Sequence, residues 1–464
     1  MNEKFMNGGL YLICPIWVTF FYLVNDTLLP SLSWHDSQRI GQIVLIIYAI
    51  FFGVIFKLFE IKTKQFYFLL GFLILGVISS SQANLTIWSF TEMAMILGCY
   101  GFGLFIYRIF CSNNNIEKLS FFILFLTTSS LILYFVIAYI SSLYLRLDFD
   151  AWGFIKGFTN PRFFGQFCTL VIPILIAPVL MRSKWDKAFY ILVCMVAFMA
   201  IASGTRGTFL GVGSVAALYL FLNSVCRKFS LMIVKIFLTA FFMQLFFIDF
   251  LPKYLNIFVE NNALERKVIG LSARDFLWLQ AVEMIADKPF FGFGPMHFAN
   301  IQKAIASHPH QLFLQIFSEW GIIFGLLFII AFVKVVNLII VEIKYSYINK
   351  SEESKIIYIC LAASIFASLV QSMVDGVFVM PYTQILFVYM AAWISSMHCR
   401  NIEILNTKTL SWRGGILSLI LICSVCILIY SFFPGSHTHI DATRDKYLSN
   451  FGFLKPRFWL NGEI

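Results

Sequence analysis

Residues 230–250 read SLMIVKIFLTAFFMQLFFIDF, an almost unbroken apolar run long enough to cross the roughly 30 Å hydrocarbon core of a bilayer as one helix. Residues 251–311 then form a long polar stretch, and a second membrane-length apolar run begins near Leu312. Polar groups are costly in lipid unless they find partners, so the polar stretch is predicted to lie outside the bilayer. This alternation predicts a helical membrane protein with one large surface loop.

The composition of the whole chain indicates that lipid is its main solvent. Of its 464 residues, 60% are hydrophobic and only 12% are charged, against about 25% charged residues in soluble domains. The net charge of +10 could suggest a nucleic-acid partner, but Lys and Arg are spread over short loops, where they set membrane orientation. We therefore expect a multi-pass membrane protein that binds no nucleic acid.

The apolar runs predict about twelve or thirteen spans within a single integral membrane domain, residues 1–464. The first run has one preceding lysine, Lys4, and no small-residue cleavage site, so it is predicted to be a retained helix. The predicted spans are residues 9–25, 40–58, 66–82, 88–110, 120–141, 164–181, 187–203, 207–223, 230–250, 312–340, 356–374, 379–397 and 414–434.

Positive charge fixes the orientation of these spans. With the N-terminus inside, the inner segments carry about three times as many Lys and Arg as the short outer loops, the bias expected of cytoplasmic segments. The loop at 251–311 and the tail at 435–464 then both lie outside, which in a bacterium is the periplasmic side of the inner membrane. All ten cysteines fall in predicted spans or inner segments, so no disulfide is expected.

The outer loop is predicted to contain a helix. Ser272-Ala-Arg-Asp275 has the pattern of a helix start, and apolar residues follow at helical spacing as far as Ala286. Lys288-Pro289 and Gly292-Phe-Gly-Pro295 are expected to end it. The expected fold class is therefore all-α, a polytopic bundle with one large helical periplasmic loop.

Arginines on the outer side are candidates for phosphate binding. Arg206 lies in the short turn Ser203-Gly-Thr-Arg-Gly207, where its guanidinium fork could bind phosphate oxygens or, alternatively, lipid head groups. Arg274 would add charge beside the unpaired backbone amides of the predicted loop helix. Arg266 and its neighbour Lys267 could belong to the same site or form only a solvated face.

His308 and His310 stand where the outer loop meets the next span. An imidazole is suited to take a proton from a hydroxyl group near neutral pH, which makes His310 a candidate base. Two histidines could instead bind a metal, but the loop has no cysteine and only scattered carboxylates, so no metal site is predicted. An ordinary hydrogen-bonded histidine at the interface is the alternative.

Polar residues continue into the next predicted span. Gln311, Gln315 and Ser318 follow at helical steps, with Glu319 beside them, and polar groups in a membrane helix imply a lined cavity or a packed polar partner. Gln311, Gln315 and His308 are therefore candidates for substrate binding. Glu92 and Asp375 are similar isolated acids, for which a catalytic role and a structural hydrogen bond are both open.

A further outer segment, Gly157 to Gln166, leads into the sixth predicted span. Arg162 stands there among aromatic residues and could contact a sugar or a lipid phosphate, so it is a candidate for substrate binding. Trp152 could stack on a sugar ring, but an interfacial aromatic belt explains it more simply.

Taken together, these features resemble those of the O-antigen ligase superfamily of bacterial inner-membrane glycan transferases. The resemblance covers residues 160–325, and no single motif in it is specific; the order of the motifs and their common outer face make the match. The residues that carry it are Arg206 in its glycine-flanked turn, Arg274 with Trp278, Gly292-Phe-Gly-Pro295, His310 with Leu314, and Glu319-Trp-Gly321. Gln311 departs from the family pattern, which usually has Asn after the active histidine.

The resemblance implies an undecaprenyl-diphosphate-linked glycan as donor, a hydroxyl group as acceptor, and no nucleotide sugar, cofactor or metal. It also implies that Arg206 and Arg274 stabilise the departing diphosphate while His310 takes the proton of the acceptor. An inverting reaction is expected.

Three acceptors share this layout: pilin or another exported protein, lipid A-core, and a growing O-antigen polymer. The segment from Gly157 to Gln166, followed by Ile172-Pro-Ile-Leu175, looks most like the protein-glycosylating members, which favours protein O-glycosylation. A transporter or flippase of lipid-linked sugars is the alternative from another class. Transporters tend to place charges near the midplane in related halves, whereas the ionisable cluster here is outside and one-sided.

Overall fold

The computed structural model of the chain describes residues 16, 33–113, 115–260, 274–300, 306–345, 351–399, 411–432 and 457–459. Over these ranges the chain is almost wholly helical, and nine of its helices are long and apolar enough to cross a membrane. The prediction of an all-α polytopic membrane protein is confirmed. The first predicted span, 9–25, lies outside the described residues except for Ile16.

The helices and strands have the following bounds. The first six helices are α1 Trp34–Ile55, α2 Thr63–Ser81, α3 Thr86–Ser112, α4 Asn115–Leu145, α5 Pro161–Leu175 and the short α6 Ala177–Leu180. The next four are α7 Asp186–Ala202, α8 Arg206–Tyr219, α9 Ser224–Gln244, continued by the π-helical turn Leu245–Phe250, and α10 Leu251–Tyr254. The last five are α11 Arg274–Asp287, α12 Leu312–Tyr345, α13 Glu352–Gln371, α14 Pro381–Cys399 and α15 Trp412–Tyr430. Two 3-10 helices, Ala151–Phe154 and His297–Asn300, and two short parallel strands, β1 Phe149–Asp150 and β2 Val259–Glu260, complete these elements.

Several predicted spans have different bounds in the structure, and two of them show why. The span predicted at 40–58 begins earlier, because the Ser33 hydroxyl accepts a hydrogen bond from the Asp36 amide at 3.2 Å and caps α1. The span predicted at 230–250 extends in both directions, from Ser224 to Tyr254. The first residues of the predicted outer loop therefore belong to a helix.

The outer loop helix lies where the sequence predicts it. Within the described residues α11 begins at Arg274 and ends at Asp287, directly before Lys288-Pro289. Its buried side chains, Leu277, Ala281 and Met284, form a small apolar cluster with Phe298 of the second 3-10 helix. The outer loop thus has its own core, which rests on the helical bundle through contacts between α11 and α12.

The bundle consists of two groups of packed helices. In one, α3 packs against α1, α14 and α15; in the other, α13 packs against α5 and α8. The groups join where α14 contacts α13 and α5. The start of α5, the start of α8, the start of α12 and the end of α13 consequently meet at one end of the bundle.

Helix α12 is broken at Gly321, whose φ of 81° lies in the left-handed region. The break frees the carbonyls of Ser318 and Glu319, which accept hydrogen bonds from the amides of Phe293 at 3.1 Å and Gly294 at 2.9 Å. Beyond the break, the Ile322 amide donates to the Pro289 carbonyl at 2.8 Å. Residues 289–295 and 318–322 therefore form one hydrogen-bonded unit, which we call the glycine joint.

The glycine joint leaves no room for side chains at its glycines. A Cβ atom on Gly321 would lie 2.3 Å from the Phe290 carbonyl oxygen, and one on Gly292 would lie 2.4 Å from the Glu319 carbonyl oxygen. Both glycines also have positive φ, which side chains disfavour. Gly292 and Gly321 are thus both required because residues 289–295 and 318–322 lie in close backbone contact.

We predict that Gly321→Ala destabilises the protein by at least about 2 kcal/mol, because it adds backbone strain to a steric clash. Thermal unfolding of the purified protein in detergent measures the effect. Gly213→Ala is the matched control, since a Cβ there meets nothing within 4 Å, and it should be neutral or stabilising by up to about 1 kcal/mol. Equal unfolding temperatures for the two variants would contradict the role of the joint.

Candidate functional site

The turn that contains His308 and His310 is buried at this end of the bundle. The two residues are only 4% and 9% exposed, and their ring centroids are 4.1 Å apart. The indole Nε1 of Trp278 donates to the Pro309 carbonyl at 3.1 Å, and the Leu312 amide donates to the Ser372 carbonyl at 3.0 Å. The turn is therefore held between the loop helix α11 and the end of α13.

His310 has an unusual backbone conformation. Its φ of 54° lies in the left-handed region, which residues with side chains rarely adopt and which often marks a functional position. In this conformation Nδ1 of His310 lies 3.6 Å from Oδ1 of Asp375. The strained turn thus brings the imidazole to a carboxylate on a separate loop.

Asp375 is buried and well connected. Its carboxylate accepts hydrogen bonds from the Gly376 amide at 2.8 Å and from Nε2 of Gln371 at 3.3 Å. Burial raises the pKa of the Asp375 carboxyl, but the contact and charge of His310, the nearby Gln166 amide and the Gly376 amide together hold that pKa below its ordinary value. Asp375 therefore carries a negative charge at neutral pH.

His308 differs from His310 in its surroundings. Its ring packs against Gly376, where an added Cβ would lie 2.0 Å from Nε2. Burial lowers the pKa of His308 well below the usual 6.5, and the nearby His310 and Arg457 side chains lower it further. His308 is accordingly neutral at pH 7, and its side chain fills space beside the Asp375 loop.

Two arginines from different elements lie near each other at this end of the bundle, and one of them, Arg274, is close to Asp375. Arg274 is the first residue of α11, and Arg162 is the second residue of α5, whose start is capped by Asn160 at 2.8 Å. Burial lowers the pKa of Arg274, the positive charge of Arg162 lowers it further, and Asp375 opposes both. Nε of Arg274 is buried without a hydrogen-bond partner among the described residues. Two neighbouring guanidinium groups whose positive charges repel each other could both be neutralised by an anionic ligand bound between them.

Arg206 lies at the same end of the bundle, as the exposed first residue of α8. The next residue, Gly207, touches Gln371 so closely that an added Cβ would lie 2.6 Å from its Nε2. The Thr208 hydroxyl donates to the Gly165 carbonyl of α5 at 2.7 Å and fixes the start of α8. Gln371, which Gly207 touches, also donates a hydrogen bond to Asp375, so the start of α8 and the Asp375 loop contact the same side chain.

The remaining predicted site residues have structural contacts or are not described. The Gln311 side chain accepts a hydrogen bond from the Leu314 amide and so caps the start of α12. With its amide oxygen turned to the guanidinium group, Gln315 accepts from Nη1 of Arg457 at 2.9 Å. Arg266 lies outside the described residues. Substrate binding by these three residues stays a prediction.

Sequence reasoning undervalued Asp375 and did not identify Arg457. The sequence shows Asp375 only as an isolated acid near two apolar runs, whereas the structure places it on the loop between α13 and α14, beside His310. The Asp375-Gly376 pair between two apolar runs is a turn signal that could have indicated this position. Arg457 lies in a mixed, aromatic-rich tail that has no periodic pattern.

Comparison with known families agrees with this geometry. Residues 190–330 match the family model described as O-Antigen ligase, a range that includes Arg206, Arg274, His310 and the glycine joint. The match confirms the predicted resemblance to the O-antigen ligase superfamily over this part of the chain. No curated protein and no solved structure gives a significant match to the chain.

We predict that Asp375→Asn destabilises the folded protein in a pH-dependent way. The unfolded carboxyl titrates near about pH 3.9 and the folded one lower, so its contribution is complete above that pH and is lost as the pH falls through the folded pKa. The variant should therefore unfold at a lower temperature than the wild type at pH 7, and the gap should shrink below about pH 4.

Thermal unfolding in detergent at pH 7, 5 and 3 measures this gap. Asp287→Asn, at the exposed end of α11, is the control and should unfold like the wild type throughout. A gap for Asp375→Asn that is the same size at pH 7 and pH 3 would show that the carboxylate charge is not what stabilises the loop.

Proposed function

We propose that this chain is a membrane oligosaccharyltransferase that moves a glycan from undecaprenyl diphosphate to an acceptor hydroxyl at the periplasmic face of the bacterial inner membrane. The observation that carries the proposal is the buried imidazole of His310, which a strained turn places beside Asp375, with Arg274 in electrostatic contact with both Asp375 and Arg162. Glycosyl transfer from a diphosphate needs a base for the hydroxyl and cations for the leaving group. A candidate base and candidate cations both lie at the end of the bundle where α5, α8 and α12 begin.

In this proposal His310 is the base. Its Nδ1 faces the Asp375 carboxylate, which favours the tautomer with the proton on Nδ1 and leaves the lone pair on Nε2 for the acceptor. As Nε2 takes the hydroxyl proton, the acceptor oxygen bonds to the anomeric carbon and the bond from that carbon to the diphosphate oxygen breaks. The electron pair leaves with undecaprenyl diphosphate. The Asp375 charge stabilises the imidazolium that forms.

The arginines are proposed to bind the diphosphate. Arg274 remains protonated at neutral pH despite its lowered pKa, because the ordinary value for an arginine is far higher. Its unpartnered Nε can donate to a phosphate oxygen, and an anion between Arg274 and Arg162 would remove the repulsion between them. Arg206, at the start of α8, adds a third cation for the charge that develops on the leaving group.

The acceptor is proposed to be a hydroxyl group of pilin or of another exported protein. The resemblance of residues 157–166 to protein-glycosylating members supports this choice, and the segment leads into α5 beside Arg162. A lipid A-core or a growing O-antigen polymer would use the same base and the same cations. Mass spectrometry of exported proteins and lipopolysaccharide from cells with and without the chain identifies which product depends on it.

We predict that Arg206→Ala and Arg274→Ala each lower glycan transfer by about 10²–10³-fold, the usual cost of removing one electrostatic contact to a transition state. His310→Ala should lower it at least as far, because the base is lost. Transfer is measured in membranes that contain equal amounts of each variant.

Arg146→Ala is the matched control for these arginine variants. Arg146 is exposed after the end of α4, outside the site, so its loss should leave the transfer rate unchanged. Full transfer by His310→Ala would remove the proposed base, and full transfer by either of the other two variants would remove that arginine from the mechanism.

A further inference from the structure

Three residues of the C-terminal tail are buried inside the bundle. Arg457, Phe458 and Trp459 are 1%, 2% and 7% exposed, and we call them the tail segment. Nε of Arg39, on α1, donates to the Phe458 carbonyl at 2.8 Å, and its Nη2 donates to the Arg457 carbonyl at 3.2 Å. The Arg39 guanidinium also lies 4.8 Å from the centre of the Phe458 ring. The tail segment is thus fixed to α1 through its own backbone.

The Arg457 side chain reaches across the bundle to α12. Its Nη2 donates to both carboxylate oxygens of Glu319, at 2.9 and 2.8 Å, and lies 3.7 Å from a carboxylate oxygen of Glu92 on α3. Gln315, one turn before Glu319, accepts from the same guanidinium. Arg457 therefore contacts two successive turns of one short helical segment.

The charges around Arg457 are balanced by the tail segment. Glu319 is fully buried and Glu92 is 9% exposed, so each carboxylate needs a positive partner. Arg457 and Arg39 supply two positive charges, and Arg39 lies within electrostatic reach of Glu92. Without Arg457, two buried carboxylates share one cation, so one of them must take up a proton or move toward water.

The segment that Arg457 contacts is the one that follows the proposed base. Residues 312–320 lie between His310 and the break at Gly321. They are therefore not held in place by a continuous helix on their C-terminal side. Glu319 also accepts hydrogen bonds from the Phe298 amide at 3.2 Å and, through its carbonyl, from the Ser79 hydroxyl at 3.0 Å. Together with the backbone hydrogen bonds of the glycine joint, the contacts around Glu319 set the orientation of this segment.

We infer that Arg457 is a positioning residue for the transfer reaction: by holding residues 312–320 against the bundle, it keeps the His310 imidazole at the acceptor hydroxyl. This inference rests on the proposed function, in which His310 is the base. Arg457 acts through α12 and touches neither reacting group. Loss of the Arg457 side chain should leave the arginines that are proposed to bind the diphosphate in place, but it should let the His310 imidazole move.

The test compares the kinetic constants of purified variants in nanodiscs, with lipid-linked glycan as donor and the acceptor that the product analysis identifies. Arg457→Ala should lower kcat by about 10²-fold, the loss typical of a base displaced by about 1 Å. The KM for the donor should change little, because Arg457 does not bind it. The kcat of Arg457→Lys should lie between those of the wild type and of Arg457→Ala, since lysine keeps the charge but not the fork of donors.

Chemical rescue separates positioning from a general effect on folding. Guanidinium ion added to folded Arg457→Ala should restore part of kcat by binding between Glu319 and Glu92, and it should not restore His310→Ala. Arg413→Ala is the control, because Arg413 is also an arginine with a side-chain partner, Thr63, at 2.6 Å, and among the described residues no hydrogen bond or ion pair joins it to α12. It should keep the wild-type kcat and show no response to guanidinium.

A second variant covers the case in which Arg457→Ala does not fold. The double variant Glu319→Gln, Arg457→Gln removes one charge of each sign and leaves Glu92 with Arg39, so it avoids an unpaired buried charge. It should fold and still show a lowered kcat, because the contact that holds α12 is weakened. A wild-type kcat in this double variant would overturn the inference.

Two other outcomes also overturn it. A wild-type kcat for folded Arg457→Ala would mean that the ion pair only stabilises the protein. Faster transfer without Arg457 would mean that the tail segment obstructs the site. His310→Ala in the same assay distinguishes these results from failure of the proposed function, because normal transfer by that variant removes the base itself, whatever Arg457 does.

Discussion

A helix that is interrupted inside a membrane protein leaves backbone carbonyls that need new donors, since lipid offers none. In this chain the break at Gly321 is repaired by the amides of Phe293 and Gly294, which belong to the outer loop. The same hydrogen bonds that complete α12 therefore hold the outer loop on the bundle. Through α11 and the bond from Trp278 to the Pro309 carbonyl, they also fix the turn that carries His310. The site depends on this repair.

The charged groups around Glu319 are balanced, whereas those around His310 are not. Around Glu319, the buried carboxylates and guanidinium groups are paired, as a low-dielectric interior requires. Near His310, by contrast, Arg162 and Arg274 lie close enough to repel each other, and Asp375 offsets part of the positive charge on Arg274. The excess of positive charge there is what an anionic ligand would neutralise, which agrees with a lipid diphosphate as donor.

The sequence is sufficient to predict the helical membrane fold, the end of α11 and the glycine turn at 292–295, because each has a local pattern of hydropathy or turn residues. It could not predict the break in α12, since a glycine within an apolar run leaves its periodicity unchanged. The contact between His310 and Asp375 depends on how two distant loops fold back. The pairing of Arg457 with Glu319 joins residues 138 positions apart, which no local pattern can indicate.

The most direct test of the account is the binding of undecaprenyl diphosphate to the purified protein, followed by native mass spectrometry. The account predicts one bound lipid diphosphate per chain, with affinity at least about tenfold weaker in Arg274→Ala, the effect of one lost charge-assisted hydrogen bond. Undecaprenyl alcohol, which has no phosphate, should not compete. Equal binding by the wild type and the variant, or equal competition by the alcohol, would contradict the claim that these guanidinium groups form a diphosphate site.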